Sequence, residues 1–267
     1  MNDSEFPYSR RWQLKPFVLF HLIAILLLAS WVIPAGHQLW RTLDEAVFFA
    51  LNGTLSEGTS WQFFWALMNE RLADIIPAVI ILTSLTFPVA GVRRYQLQKA
   101  FLGFFVLMIV MFIIRRTLHD ITVNIGLSVD SPSLQLQPAF FLSELVPELS
   151  PKDRAQHSFP GDHAAVLWAW AGYMMFMLRS KLTALTVIIC ALFTLPRMLG
   201  GAHWFSDNYV GGIAVALLTL SWAFHTPALV WPTATLHRLL APVFSFIGEK
   251  VPLLGQLPFF SHRDEKG

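Results

Sequence analysis

The chain reads as an all-α, polytopic membrane protein: six transmembrane helices in one integral membrane domain spanning residues 1–267. Three observations predict this. Of 267 residues, 55% are hydrophobic and only 13% charged, with a mean hydropathy of +0.53, where a soluble domain carries about 25% charge. Six segments approach the roughly 20 apolar residues that a span requires. The basic residues gather in alternate connections between those segments, as the positive-inside rule demands.

The six segments run from Pro16 to Pro34, Ala73 to Ala90, Ala100 to Ile114, His163 to Leu178, Leu182 to Leu195 and Asn208 to Phe224. The first follows a polar start with Arg10, Arg11 and Lys15 and has no small-residue cleavage site after it, so it is read as a retained helix. Between the first and second, Leu43–Leu67 mixes Phe48, Phe49, Trp61, Phe63, Phe64 and Trp65 with polar residues; short interfacial helices are expected there. After residue 225, Pro232 and Pro242 break the apolar pattern, and a cytoplasmic interfacial tail over 226–267 is expected, leaving 16–225 as the six-helix core.

Twelve of the 19 basic residues fall on one side: Arg10, Arg11, Lys15, Arg93, Arg94, Lys99, Arg179, Lys181, Arg238, Lys250, Arg263 and Lys266. Asp44, Glu45, Glu57, Glu144, Glu148 and Asp153 fall in the opposite loops. Both termini are therefore expected in the cytoplasm. The chemistry-bearing motifs lie on the other face, which in a Gram-negative bacterium is the periplasm, so a periplasm-facing active site is expected. A net charge of +2, dispersed along the chain, excludes nucleic acid as a partner. The single cysteine, Cys190, lies in an apolar run and permits no intramolecular disulfide.

Two short motifs carry the chemistry. In Ser158-Phe159-Pro160-Gly161-Asp162-His163, Ser158 and Asp162 are N-cap candidates and Pro160 suits a helix start. Free N–H groups there attract anions, Gly161 lets backbone approach a phosphate, and Ser158 is expected beside it as a phosphate-binding residue. His163 is placed to protonate a leaving oxygen. In the second motif Arg197 precedes His203 and Asp207. His203 and Asp207 stand four apart, on one face of a helix. The carboxylate can hold Nδ1–H and leave Nε2 free to attack. Arg197 matches phosphate oxygens while keeping its charge. An arginine, a histidine and an aspartate within eleven positions suit phosphoryl transfer better than an interfacial arginine snorkelling to headgroups.

This pattern, Arg-x5-His-x3-Asp with an upstream Pro-x-x-His at a helix start, resembles the type-2 phosphatidic acid phosphatase superfamily from about Leu102 to Ala223. The resemblance implies a metal-independent site and a phosphohistidine intermediate, with His203 as nucleophile, Asp207 its orienter, His163 the general acid and Arg197 a phosphate clamp. Two features depart from the family. Pro160-Gly161-Asp162-His163 stands where the family has Pro-Ser-Gly-His. The upstream Lys-x6-Arg-Pro motif is not intact: Val129-Asp130-Ser131-Pro132-Ser133 sits at its end without the arginine, and Arg115 and Arg116 are the nearest basic candidates for phosphate binding. The loop wording is similar to the lipid A phosphotransferases of Gram-negative inner membranes, which implies undecaprenyl diphosphate as donor, lipid A as acceptor and no cofactor. A hydrolase of the same fold shares the first half-reaction.

A carboxylate beside a phosphate repels it, so Asp162 is expected either to pair with a site arginine and order the loop or to act as a plain N-cap. Trp204 and Phe205 are expected as interfacial anchors, His157 as facing water, and Asp153 as part of a solvated loop. A metal site built from His119, Asp120, His157, His163, His203 and Asp207 is disfavoured by the positive Arg197 and by the lack of a His-x-x-x-His pair. A transporter is disfavoured because no charge falls mid-helix in the third, fifth or sixth segments.

Overall fold

The computed structural model describes residues 8–87, 96–178 and 182–260, and every regular element among them is a helix, with no strand. Helix α1 (Leu14–Val32) is apolar on all sides. It ends because Ile33 precedes Pro34 and is extended, a conformation the proline ring imposes. Pro34 then starts α2 (Pro34–Asn52) at a position where its missing N–H costs nothing. The short interfacial pieces expected from Leu43 onward are instead the second half of this 19-residue helix, followed by a 3-10 turn (Gly53–Glu57) and α3 (Thr59–Met68). The buried residues of α2 are Asp44, Phe48 and Asn52, one face at a spacing of four, and two of the three are polar. That face packs on the site rather than into the apolar core.

A 3-10 turn (Arg71–Asp74) leads into α4 (Ile75–Thr86), 12 residues long. Helix α5 (Leu97–Asn124) runs 28 residues, ten beyond the expected end at Ile114, so Arg115 and Arg116 lie inside a helix rather than at its end. Two short helices, α6 (Pro132–Gln135) and α7 (Leu142–Leu145), interrupt the long connection to α8 (Asp162–Leu178). Helix α9 (Leu182–Leu199) continues past Pro196 and carries Arg197 in its last turn. A π turn (Asp207–Gly211) feeds α10 (Gly212–His225). The tail is not broken by its prolines. Pro232 falls in the first turn of α11 (Val230–Lys250) and Pro242 inside it, and the last helix among the described residues is α12 (Pro252–Gly255).

By length and apolarity, α1 and α5 can each cross a membrane, and the pair Asp207–His225 and Pro227–Lys250, bent by 78°, makes a third candidate among the described residues. Helices α4 and α8 and the apolar stretch Ala184–Leu199 are shorter. Arg93, Arg94, Arg179, Lys181, Arg263 and Lys266, half of the basic residues used above for orientation, lie outside the described residues.

The main core joins α8 and α10 to α5 and α1 around Leu107, Leu167, Trp170, Tyr173, Met174, Val215 and Leu220. Small residues permit the close α8–α10 approach: a Cβ on Gly172 would meet Leu220 at 2.1 Å, and one on Gly212 would meet Ala164 at 2.9 Å. Beside it, Phe20, Trp168, Gly172, Met175, Phe176, Val187 and Leu217 line an apolar cavity of about 440 Å³. A second cluster (Leu55, Trp65, Leu142, Val146, Leu199) and a third (Trp31, Phe159, Val210) lie under the loops. Trp31 stacks on Phe159 with ring centroids 4.0 Å apart, fixing the loop just before α8.

Candidate active site

The ends of α8, α9 and α10 meet under the long 125–161 connection. After α9, Gly201 adopts φ +79°, a backbone conformation costly for other residues, and turns the chain back. Its carbonyl accepts from the Ser133 N–H at 3.2 Å, and the Ala202 and His203 N–H groups both donate to the Arg197 carbonyl, at 2.9 and 3.2 Å. His203 is thereby held over the last turn of α9 and is 3% exposed.

Asp207 begins the π turn and is buried. One of its oxygens, Oδ2, accepts from His203 Nδ1–H at 3.2 Å and from the Trp204 N–H at 2.9 Å. Two donors fix that carboxylate, and the carboxylate fixes the ring. His203 Nε2 is buried, has no hydrogen-bond partner, and lies 3.6 Å from Asp162 Oδ1. Burial alone pushes the His203 imidazole toward its neutral form, but the two flanking carboxylates outweigh it and raise its pKa. The same contact to His203 holds the Asp162 carboxyl well below its usual range, against the opposing effect of burial and with help from Lys152.

On the facing side, His163 Nδ1 lies 3.7 Å from Asp74 Oδ1. The carboxylate of Asp74 also takes Arg197: Nη2 donates to both of its oxygens at 2.9 Å, while Nη1 donates to the Asn69 carbonyl at 2.7 Å. That carbonyl accepts the Lys152 N–H as well, at 3.0 Å. The Lys152 ammonium lies 4.0 Å from Asp162. The site thus contains two histidines, two cations and three carboxylates. Two of the carboxylates, Asp74 and Asp162, each lie between one histidine and one cation.

Several expected placements change. Asp162 pairs with Lys152 and His203, not with an arginine, and its Oδ1 accepts the His163 N–H at 2.8 Å. The Ser158 hydroxyl turns to the Val129 carbonyl at 3.4 Å and does not cap α8. The Gly161 N–H donates to the Asp207 carbonyl at 3.0 Å, so it is not free for an anion; a Cβ at Gly161 would meet Asn208 Oδ1 at 3.0 Å. The glycine serves close packing of the two motifs. Arg115 and His119, one helical turn apart on α5, grip the same loop: Arg115 Nη2 donates to the Pro160 carbonyl at 3.4 Å and His119 Nδ1–H to the Phe159 carbonyl at 3.0 Å. Arg116 points away and pairs with Asp120 at 3.0 Å. Trp204 is buried beneath the Arg41 guanidinium, 4.0 Å from its ring centre, rather than anchored in an interface. Phe205 stacks on Tyr209 at 4.3 Å. His157 is exposed, as expected, and its Nδ1–H donates to the Ser128 carbonyl at 3.1 Å. Asp153 is buried and accepts the Ser143 N–H at 2.8 Å.

Sequence reading missed Asp74, Lys152, Asn69 and Asp44. Behind the 203–207 loop, Asp44 accepts from the Ser206 N–H and hydroxyl, both at 2.7 Å. Burial raises its pKa to about 7, opposed by those two hydrogen bonds and by Arg41, and reinforced by the nearby Asp207 charge. Among the described residues, no group of three His, Cys, Asp or Glu side chains is arranged to hold a metal ion.

This constellation coincides with a known domain. Residues 121–228, which contain His163, Arg197, His203 and Asp207, match the PAP2 superfamily. Together with the relative that follows, this match supports an enzyme that acts on lipid phosphates. Beyond the domain, the chain is 28% identical over 215 residues to the lipid A 1-diphosphate synthase of Escherichia coli (strain K12), covering 80% of this chain and 89% of that protein. No solved structure matches the chain.

Proposed function

We propose that this chain is a lipid phosphotransferase of a Gram-negative inner membrane, moving the terminal phosphoryl group of undecaprenyl diphosphate to the 1-phosphate of lipid A. The observation that carries this reading is His203: a buried imidazole fixed through Nδ1 by Asp207 at 3.2 Å, with Nε2 free of any hydrogen bond and 3.6 Å from Asp162 Oδ1, the carboxylate that the Lys152 ammonium also faces. That is the geometry of an activated nitrogen nucleophile. Its lone pair attacks the terminal phosphorus, and the bond to the bridging oxygen breaks. His163 gives its proton to that leaving oxygen, releasing the polyprenyl monophosphate. Arg197 and Lys152 meet the charge of the transferring group. An oxygen of the acceptor phosphate then attacks the phosphohistidine and restores His203.

The choice of substrates draws on the Escherichia coli relative, whose name specifies lipid A 1-diphosphate synthesis. The apolar cavity beside α8 and α10 supports a hydrocarbon-tailed substrate, because its walls begin one to two turns from His163 on α8. In this reading six helices span the bilayer, both termini are cytoplasmic and the site opens to the periplasm. Purified protein incubated with terminally labelled undecaprenyl diphosphate and lipid A tests it. Label is expected in lipid A, with an acid-labile, base-stable phosphoenzyme that His203→Gln abolishes. Release of free phosphate with no labelled lipid A assigns the chain to the hydrolases instead.

A further inference from the structure

We propose that Asp74 is an internal anion that closes the phosphate seat in the resting enzyme, occupying Arg197 until a phosphoryl group displaces it from the guanidinium and leaves it with His163 alone. The inference rests on the reading that Arg197 and His163 receive phosphate.

The argument begins with donors. Arg197 is buried, and its two terminal nitrogens are engaged by the Asn69 carbonyl at 2.7 Å and by both oxygens of Asp74 at 2.9 Å. The Asn69 contact is to backbone and stays. The Asp74 contact is to a carboxylate, whose planar pair of oxygens presents to a guanidinium what a phosphate presents. The same carboxylate lies 3.7 Å from His163 Nδ1. One anion therefore sits on both groups that a phosphoryl oxygen would need.

Asp74 is also built to leave. Its side chain is 43% exposed, whereas that of Arg197 is 5% exposed. It stands at the end of a short 3-10 turn outside the matched domain, while Arg197 belongs to a long helix inside it. When two partners separate, the exposed one on the turn moves. The groups facing Asp74 are Arg197 and His163; those facing His163 are Asp74, Arg197, Asp162 and His203. Once phosphate holds Arg197, Asp74 keeps only His163, and its charge then favours the protonated imidazole that a general acid requires. Asp74 is thus a positioning residue: it acts through Arg197 and His163 and does not touch the reacting atoms.

The test measures binding without turnover. The full-length protein and its Asp74→Asn variant, in detergent, are titrated with orthovanadate and with inorganic phosphate. Removing the competing charge is expected to tighten both about tenfold, the scale of one hydrogen bond to a charged group. KM for lipid substrate should fall while kcat also falls, because His163 loses its carboxylate. A merely structural role predicts the reverse for binding, since a loosened Arg197 grips phosphate less well. Weaker, unchanged or undetectable anion binding in Asp74→Asn overturns the proposal. Should that variant not fold, the wild type decides. Carbodiimide labelling of Asp74, read by mass spectrometry, is expected to rise about threefold with vanadate bound, as the carboxylate is released to solvent; no rise, or protection, overturns it. Because neither measurement needs a phosphoenzyme, failure here is separable from failure of the phosphohistidine reading.

Discussion

Each of the two site histidines lies within 4 Å of an aspartate, yet the two pairs are built differently. His203 and Asp207 are four residues apart, both under 4% exposed, and the carboxylate is held by a second donor, the Trp204 N–H. His163 and Asp74 come from separate segments, and Asp74 is shared with Arg197 and nearly half exposed. The first pair is buried and local, which suits the nucleophile role proposed for His203, whose ring must be aimed before substrate arrives. The second is shared and partly exposed, which suits the proton-donor role proposed for His163, whose surroundings change as the phosphate enters and leaves. Burial and spacing thus separate the two roles more clearly than residue type does.

The comparison can be broken by substitution. His203→Gln should abolish transfer, by at least about 10³-fold, since nothing else in the site replaces the attacking nitrogen. Detection of full phosphoenzyme in that variant would remove the rigid pair from the mechanism. His163→Gln should cost about 10²–10⁴-fold on the lipid substrate, the usual worth of a general acid. On an aryl phosphate, whose leaving oxygen needs no proton, that loss should shrink sharply while the His203→Gln loss does not. Equal losses on both substrates would mean that the two histidines do not divide the work.

Asp162→Asn sharpens the electrostatics. The flanking carboxylates raise the His203 pKa, and attack requires Nε2 without a proton, so activity falls as pH falls through that pKa. Removing one carboxylate lowers the pKa, and the acid limb of kcat/KM should move to lower pH. A shift the other way would contradict the assignment of Nε2 to the Asp162 side. The smallest effect is expected at Asp44. Its folded pKa of about 7 lies above the ordinary carboxylate value of 3.8, so the folded state holds a proton that the unfolded chain releases. Stability from this group is complete below about pH 4 and is lost as pH rises toward 7. Asp44→Asn should flatten that dependence, narrowing the difference in melting temperature between pH 5 and pH 8 by a few degrees, roughly 2–5 °C.

What the sequence made readable follows the same division. Arg197, His203 and Asp207 lie within eleven positions, so spacing alone placed them together. Helices α1, α8 and α10 were readable because their apolar runs end at prolines, glycines or caps. Helix α2 was obscured because its inward face is Asp44, Phe48 and Asn52, polar residues that serve the site and break an apolar stripe. The continuation of α5 past Ile114 was hidden by Arg115 and Arg116, which look like a terminus. One grips the Pro160 carbonyl and the other forms a surface pair with Asp120, so neither ends the helix. Asp74 and Lys152 carried no local signal, since only the packing of two distant turns brings them to the histidines.

The carbonyl of Asn69 has a wider meaning. It receives the Arg197 guanidinium and the Lys152 main-chain amide at one oxygen atom, just past the end of α3. The spacing between the site's two positive anchors is therefore gauged from a single point on the backbone. On α3, Trp61, Phe63, Phe64 and Leu67 are exposed. Under the proposed function, the depth those rings take in a bilayer is transmitted through that one oxygen to the gap the substrate's phosphates have to fit.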